Sequence, residues 1–418
     1  MKLAEVFRFS KKTVILRNKS RIILGNTDTG EWIKVSKECY DIIYTAINQE
    51  YLLKEFFDVF VSEDDKKYMK NLIEKMFSLD LITQELIRTE TVPQFITFAI
   101  TNRCNLRCKH CCVSATDEAD ILSIYECKEI IDKIVKLQPE QVIFTGGEPF
   151  IRNDFIELLE YTRGRFNKHI GIMTNGLLLT DKKICKVIKL VNSIDISLDG
   201  INEESCSQIR GKGVFSKIMQ IVDKLHEMDF HNISLSMVVT QQNQKLVDEF
   251  YQLNKEKGTK PMLRSFSPIG RGKVNKNGLE IKRDTLAKNR EEKMVTCSSD
   301  MKLCSCGALK KNIYIDYRGE IYPCPVLLGR EYCFGKVLDK KDMEQYFRKG
   351  IIKNEENYST FLNLYPQNYS ECKECNVNLF CWSCLHHIDL LKNGVISRTP
   401  NCEERKKQLQ EIVWGDDE

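Results

Sequence analysis

The sequence predicts an α/β fold, with a parallel sheet in the middle of the chain, a small mixed domain before it and a thiol-rich domain after it. Two patterns predict this. Short β-branched runs alternate with amphipathic segments through residues 92–290, and repeated strand–helix units imply parallel strands joined by right-handed crossovers, open or closed into a barrel. The 18 cysteines are unevenly spread: residues 1–100 hold only Cys39, a tight group spans 104–112, and a dense group runs from 297 to 402.

Composition sets the bounds. A chain of 418 residues has room for roughly two to four domains. With 42% hydrophobic and 29% charged residues it carries enough apolar material for a core. A net charge of +4 with the two signs interleaved argues against a nucleic-acid partner. The opening MKLAEVFRFSKK lacks the apolar stretch of a signal peptide, and no run approaches the roughly 20 apolar residues of a membrane helix. The expectation is a cytoplasmic protein with no membrane partner. Cytosolic thiols stay reduced, so clustered cysteines read as metal ligands or catalytic groups.

The elements follow in order. KTVILRN, RIILGNT and EWIKVS read as three strands, with Gly30 turning the chain into the third. Ser36 caps a helix whose apolar side takes Cys39, Ile42, Ile43 and Ile47. LLKEFFDVF is a second helix. Ser62 opens a third, with Asp64 and Asp65 suited to its dipole and Leu72, Ile73, Met76 and Phe77 on its apolar face. Three strands then three helices, over residues 1–88, make a small winged-helix-like module. In the middle, FITFAIT, QVIFTGG, HIGIMTNG, SIDISLDG and ISLSMVVT are strands. Tyr125 to Leu137, Phe155 to Arg163, Asp181 to Val191 and Phe215 to Met228 are helices. Parallel sheets place their chemistry at the strands' C-terminal ends. CNLRCKHC, TGGEP, TNG and SLDG all sit there, so four loops converge on one mouth. The last part is loop-rich, with a hairpin NIYIDYRGEIYPC turning at Arg318–Gly319 and a final helix CEERKKQLQEIVW.

Cys104, Cys108 and Cys111 form C-x3-C-x2-C. Three thiolates on one loop can hold three irons of a cubane cluster and leave the fourth open. Structural zinc prefers four ligands in paired knuckles. Cys112 is left over and reads as a buried small side chain. CNLRCKHC after one strand and TGGEP after the next resemble the radical S-adenosylmethionine (SAM) superfamily over residues 92–290. That resemblance implies a partial (β/α)6 TIM-like barrel, with an open iron chelating S-adenosylmethionine. It also implies cleavage to a 5′-deoxyadenosyl radical that abstracts a hydrogen. It places Gly146, Gly147 and Glu148 at the methionine amino group, where glycine lets backbone approach the ligand. His110 would lie beside the adenine, Ser197 and Asp199 would meet the ribose and carboxylate, and Arg210 would lie near the carboxylate. Thr174 and Asn175 shape a turn. No spacing identifies a catalytic base.

Cys306, Gly319, Cys324, Cys372, Cys375, Cys381, Cys384 and Cys402 resemble the seven-cysteine SPASM extension, here residues 291–418, which holds two auxiliary 4Fe–4S clusters and brings the total to three. By the resemblance the first auxiliary cluster uses Cys306, Cys324 and Cys384, and the second Cys372, Cys375, Cys381 and Cys402. An eighth ligand is expected at Cys297 or Cys304; otherwise one cluster keeps an open iron. The family usually spaces its third and fourth late cysteines C-x3-C; here Cys381 and Cys384 are C-x2-C, which leaves the division of ligands open. CKEC and CWSC also look like zinc knuckles.

The N-terminal module resembles the precursor-recognition element of peptide maturases, which adds a leader peptide as a strand at a sheet edge. Together these resemblances imply a maturase of a ribosomally synthesised precursor peptide, drawing electrons from a reductase such as flavodoxin or ferredoxin. The favoured product is a thioether. A carbon–carbon cross-link, formylglycine formation by an anaerobic sulfatase maturase, and a non-catalytic iron–sulfur scaffold are the alternatives. Cys39, Cys127, Cys185, Cys206 and Cys333 are expected to be buried small residues.

Overall fold

Ser36 ends a strand and starts a helix. Its hydroxyl accepts the Cys39 amide at 3.1 Å, satisfying one of the first-turn donors that a helix leaves unpaired. The structure is a computed structural model that describes residues 1–84, 92–280, 301–382, 384–395 and 402–415. The N-terminal strands are β1 (Arg8–Phe9), β2 (Thr13–Asn18), β3 (Arg21–Asn26) and β4 (Trp32–Ser36). Helices α1 (Lys37–Asn48), α2 (Leu53–Asp58) and α3 (Glu63–Ser78) follow, then β5 (Ile82–Thr83). β2, β3 and β4 form an antiparallel sheet in that order, and β5 returns to pair with β1. Ser62 caps α3 through the Asp65 amide, as its sequence suggests.

β3 is buried from Ile22 to Asn26, because both of its faces are covered. Alternation sends Ile22 and Leu24 into a core with Phe7, Ile43, Phe56, Ile73 and Met76. Ile23 joins Leu16 in a second core with Leu303, Phe380, Leu409 and Trp414. Ile42 lies exposed on the flank of α1, whose inward stripe is Tyr40, Ile43 and Ala46.

The compact units therefore cut across the sequence divisions at 88, 92 and 291. Among the described residues, those within Met1–Thr89, Val295–Gly307 and Ser359–Glu418 form one unit. Those within Glu90–Met294 and Ala308–Tyr358 form the other. The shared second core explains the first grouping; strand pairing explains the second.

In that second unit, β6 (Phe95–Ala99), β7 (Gln141–Thr145), β8 (His169–Thr174), β9 (Ser193–Ser197), β10 (Ile233–Val239) and β11 (Lys260–Ser265) run parallel, each beside the next. Five of these strands are the ones the alternation predicts, and the sixth makes up the number the resemblance implies. β11 escapes the sequence reading because it is a largely unburied edge strand with Pro261 in its second position. The predicted hairpin is present as β12 (Asn312–Ile315) and β13 (Ile321–Tyr322), but β12 also pairs parallel with β6 and extends the sheet to eight strands. One sheet face is apolar, with Phe144 packed edge-on to Phe155. By register the other carries Tyr314, Thr97, Met173, Asp195, Ser236 and Arg264. Cys127 and Cys206 are buried as expected, but Cys185 is exposed.

Candidate functional site

The loop after β6 is closed on itself before it meets anything else. Arg103 bridges to Thr116, and the Cys104 amide donates to the Thr116 carbonyl at 3.1 Å. Thr101 bonds Asp120, and Arg103 pairs with the same carboxylate at 3.3 Å. The loop is then held from outside by a segment the sequence did not flag. The Arg271 amide donates to Cys111 O at 2.9 Å, and its guanidinium donates to Cys108 O at 3.1 Å and Ala115 O at 2.6 Å. Gly270, at φ +55°, lies so close to the Cys111 and Cys112 carbonyls that a Cβ there would overlap them. The only signal for this clamp is the G-R-G run after β11.

Gly146 and Gly147 are required by the protein itself. A Cβ on Gly146 would overlap Thr101 O, and one on Gly147 would overlap Arg103 O. That approach lets the Gly147 amide donate to Thr101 O at 2.9 Å and the Glu148 amide to Arg103 O at 2.7 Å, fastening this turn to the cysteine loop. Glu148 is fully buried. Its carboxylate accepts the Phe150 amide at 3.0 Å, the Asn175 amide at 2.7 Å and the Thr174 hydroxyl at 2.8 Å. Burial raises its pKa, against the lowering by those donors. Asn175 does more than shape a turn, since its side chain reaches Asn105 at 2.8 Å and the Cys104 sulfur at 3.8 Å.

His110, Asp199 and Arg210 meet. Asp199 Oδ2 lies 2.5 Å from His110 Nε2 and 2.6 Å from Arg210 Nε, and Oδ1 accepts the Val238 amide at 2.6 Å. Burial works against the carboxylate, but Arg210 and His110 outweigh it and hold Asp199 well below the usual range. Both oxygens are engaged by protein, and Arg210 reaches the Cys108 sulfur at 3.8 Å. Ser197 lies on the polar face of the sheet, paired with Ser236.

Burial first, then the charges of Cys108, Glu148 and Cys111, push the Cys104 thiol up to about 11, against the Leu106 amide. Burial raises Cys108 too, opposed by Arg210 and Arg271. Crowded, buried thiolates call for bound positive charge. Among the described residues no three ligand groups close on a single ion. N–H donors aimed at the sulfurs of Cys104 and Cys108 fit a cluster whose sulfurs are hydrogen-bonded by protein.

The later cysteines fall into two neighbourhoods within their unit. Burial raises the Cys384 thiol, lowered by the His386 amide and raised further by Cys306. Burial raises Cys381, which Arg405 lowers and Cys402 and Cys375 raise. Cys304 is buried, with its amide on Leu379 O at 2.7 Å. Cys297 lies outside the described residues. Cys324 follows β13 in the sheet-bearing unit.

Comparison with known proteins identifies two domains. The Radical SAM superfamily pattern matches residues 98–253, and an iron–sulfur cluster-binding SPASM domain matches 304–376. The chain thus carries a radical SAM domain followed by a SPASM domain. It is 28% identical over 342 residues to "Mycofactocin maturase MftC" of Mycolicibacterium smegmatis, covering 76% of this chain and 81% of that one. It is 24% identical over 340 residues to "Antilisterial bacteriocin subtilosin biosynthesis protein AlbA" of Bacillus subtilis, covering 77% and 73%. The fold is similar to Streptococcus suis SuiB bound to S-adenosylmethionine, with a TM-score of 0.56, 14% identity and coverage of 92% and 96%.

This radical SAM enzyme thus has S-adenosylmethionine and iron–sulfur clusters as cofactors. No helix among the described residues is long and apolar enough to cross a membrane.

Proposed function

We propose that the chain is a leader-dependent maturase that joins a cysteine sulfur to a carbon of another residue in a ribosomally made precursor peptide. The observation that carries this reading is the N-terminal module. Its β2–β3–β4 sheet has β4 as an outer strand, and an outer strand offers backbone donors and acceptors to an added peptide. The same sheet shares a core with the segment bearing Cys375 and Cys381, so a leader docked there is tethered to the auxiliary-cluster half. MftC and AlbA are named for peptide products, and SuiB has been solved with precursor peptide SuiA.

In this reading Cys104, Cys108 and Cys111 hold the cluster that binds S-adenosylmethionine, beside Gly146, Gly147, Glu148 and Ser197. The His110–Asp199–Arg210 group forms a fixed wall of that site. Cys306, Cys324 and Cys384 hold one auxiliary cluster and Cys372, Cys375, Cys381 and Cys402 the other, with Cys304 or Cys297 as the eighth ligand. The nearness of Cys384 to Cys306, and of Cys381 to Cys375 and Cys402, supports that division. When bound, these groups supply one-electron cleavage of S-adenosylmethionine and the hydrogen-abstracting radical it releases. The protein's part is to fasten the cysteine loop, hold the peptide and exclude water. A flavodoxin- or ferredoxin-type reductase supplies the electron, in the cytoplasm.

The test uses anaerobically reconstituted protein and synthetic candidate peptides drawn from short reading frames neighbouring its gene, read by mass spectrometry before and after thiol alkylation. Loss of two hydrogens together with one alkylatable thiol is the expected result. Loss of two hydrogens with every thiol still alkylatable moves the reading to a carbon–carbon bond. An aldehyde in place of a cysteine or serine side chain moves it to formylglycine formation.

A further inference from the structure

Where β6 meets β12, a cavity of about 180 Å³ opens on the polar face of the sheet. Its walls include Ala99, Thr101, Cys112, Gly146, Tyr314 and Asp316. They come from the end of β6, the cysteine loop, the glycine turn and the hairpin, all within one compact unit. None of the motifs that define the cofactor site accounts for Tyr314, Asp316 or Cys112.

Three features say what the cavity takes. The first is size: at about 30 Å³ per water it has room for about six waters, which is one small side chain and far less than a nucleoside. The second is charge. Asp316 is 4% exposed, and its carboxylate is matched by Arg318 at 2.9 Å and by the Arg318 and Glu320 amides, both at 2.9 Å. Arg318 is also paired with Glu320 at 2.9 Å. The two charged side chains of the lining, Asp316 and Arg318, are thus paired with each other, and a neutral guest suits it. The third is Tyr314, itself 4% exposed, whose hydroxyl has no hydrogen-bond partner among the described residues. It is not among the polar atoms sealed away without a partner, so it remains reachable from the cavity it lines. An enclosed hydroxyl normally finds a partner, and here a guest would provide one. The position is apt as well, because Gly146 lies on the turn that carries Glu148, and Tyr314 pairs with Thr97 on the polar face.

We infer that this cavity seats one small, neutral, hydrogen-bonding side chain of the precursor peptide, such as a cysteine, serine or threonine, and that the Tyr314 hydroxyl holds it in place. The inference rests on the maturase reading and adds to it a residue that selects and positions the substrate.

Tyr314→Phe removes only the hydroxyl. Ala99→Val fills part of the cavity with a residue strands accept. Each is compared with the wild type on the candidate peptide that the wild type modifies, with iron content, the KM for peptide, the KM for S-adenosylmethionine, and 5′-deoxyadenosine formed per modified peptide. The expected result is at least a tenfold rise in 5′-deoxyadenosine per modified peptide in both variants, with the shift in the peptide KM. A ratio equal to wild type in the Tyr314→Phe variant overturns the inference and leaves the maturase reading standing. A raised KM for S-adenosylmethionine assigns the cavity to the cofactor site and overturns it too. A wild type that cleaves S-adenosylmethionine but leaves every candidate peptide unmodified overturns both readings together.

Discussion

Gly147 has backbone where a side chain would need to go. Any Cβ there overlaps the Arg103 carbonyl, and Arg103 is the residue before Cys104, the first proposed cluster ligand. Gly147→Ala must therefore displace the cysteine loop or the turn, an overpacking cost of about 1–3 kcal/mol. The expected outcome is a loss of about four of about twelve irons after reconstitution, with 5′-deoxyadenosine formation falling with it; iron and sulfide analysis checks this. Asp199 is legible in the same way. SLDG marks it as a site residue, yet its carboxylate is spent on His110, Arg210 and the Val238 amide. Asp199→Asn leaves the Arg210 cation, 8% exposed at its side chain, without its counter-charge, and breaking a buried pair costs about 3–5 kcal/mol. A carboxyl held below its unfolded value stabilises fully above that value, about 3.9, and loses the contribution as pH falls through the folded one. Urea melts should therefore show the full penalty for Asp199→Asn at pH 6, and a smaller one as pH falls below about 3.9.

At the scale of elements, the strands and helices of residues 12–78 and, apart from the helix Glu203–Arg210, those of 95–239 were readable because each satisfies its own periodicity and caps. What was not readable depends on partners far along the chain. Gly270 and Arg271 clamp the cysteine loop from beyond an edge strand with no motif. β12 looked like half of a hairpin because nothing in NIYI names β6 as its second neighbour. Ile42 shows the limit of reading a stripe by residue type, since a turn of the helix offers more apolar residues than the core has room for. Trp32 is the sharpest such case. Its indole N–H donates to Met301 O at 2.6 Å and its ring packs edge-on to Phe380, 5.2 Å away. Phe380 precedes Cys381. Trp32→Ala removes a large ring from a shared core and should destabilise its unit by about 3 kcal/mol, seen by denaturant unfolding. Auxiliary iron should become labile in that variant before the iron on Cys104, Cys108 and Cys111 does.

For the whole molecule, the consequence is that the N-terminal module and the late cysteines are one folding unit, although about 300 residues separate them in sequence and no sequence pattern joins them. A strand buried on one face needs one partner, and β3 is buried on both. Its second partner is the core of Leu303, Phe380, Leu409 and Trp414, secured by Lys34 Nζ on the Val413 and Trp414 carbonyls at 3.1 and 3.0 Å. Deleting residues 1–88 therefore removes more than a docking site. It exposes Leu379, Phe380, Leu409, Val413 and Trp414, each buried to at least nine-tenths in the intact chain, at roughly 1.5–3 kcal/mol per large side chain uncovered. A detachable recognition domain would leave iron content and peptide-free S-adenosylmethionine cleavage as they are and raise only the KM for precursor. The shared core predicts instead that the truncated chain reconstitutes with fewer irons and aggregates or unfolds at lower denaturant. The iron that remains should be the portion lost on replacing Cys104, Cys108 and Cys111 with alanine. Iron counting on the truncated chain, with and without that triple replacement, separates the two outcomes.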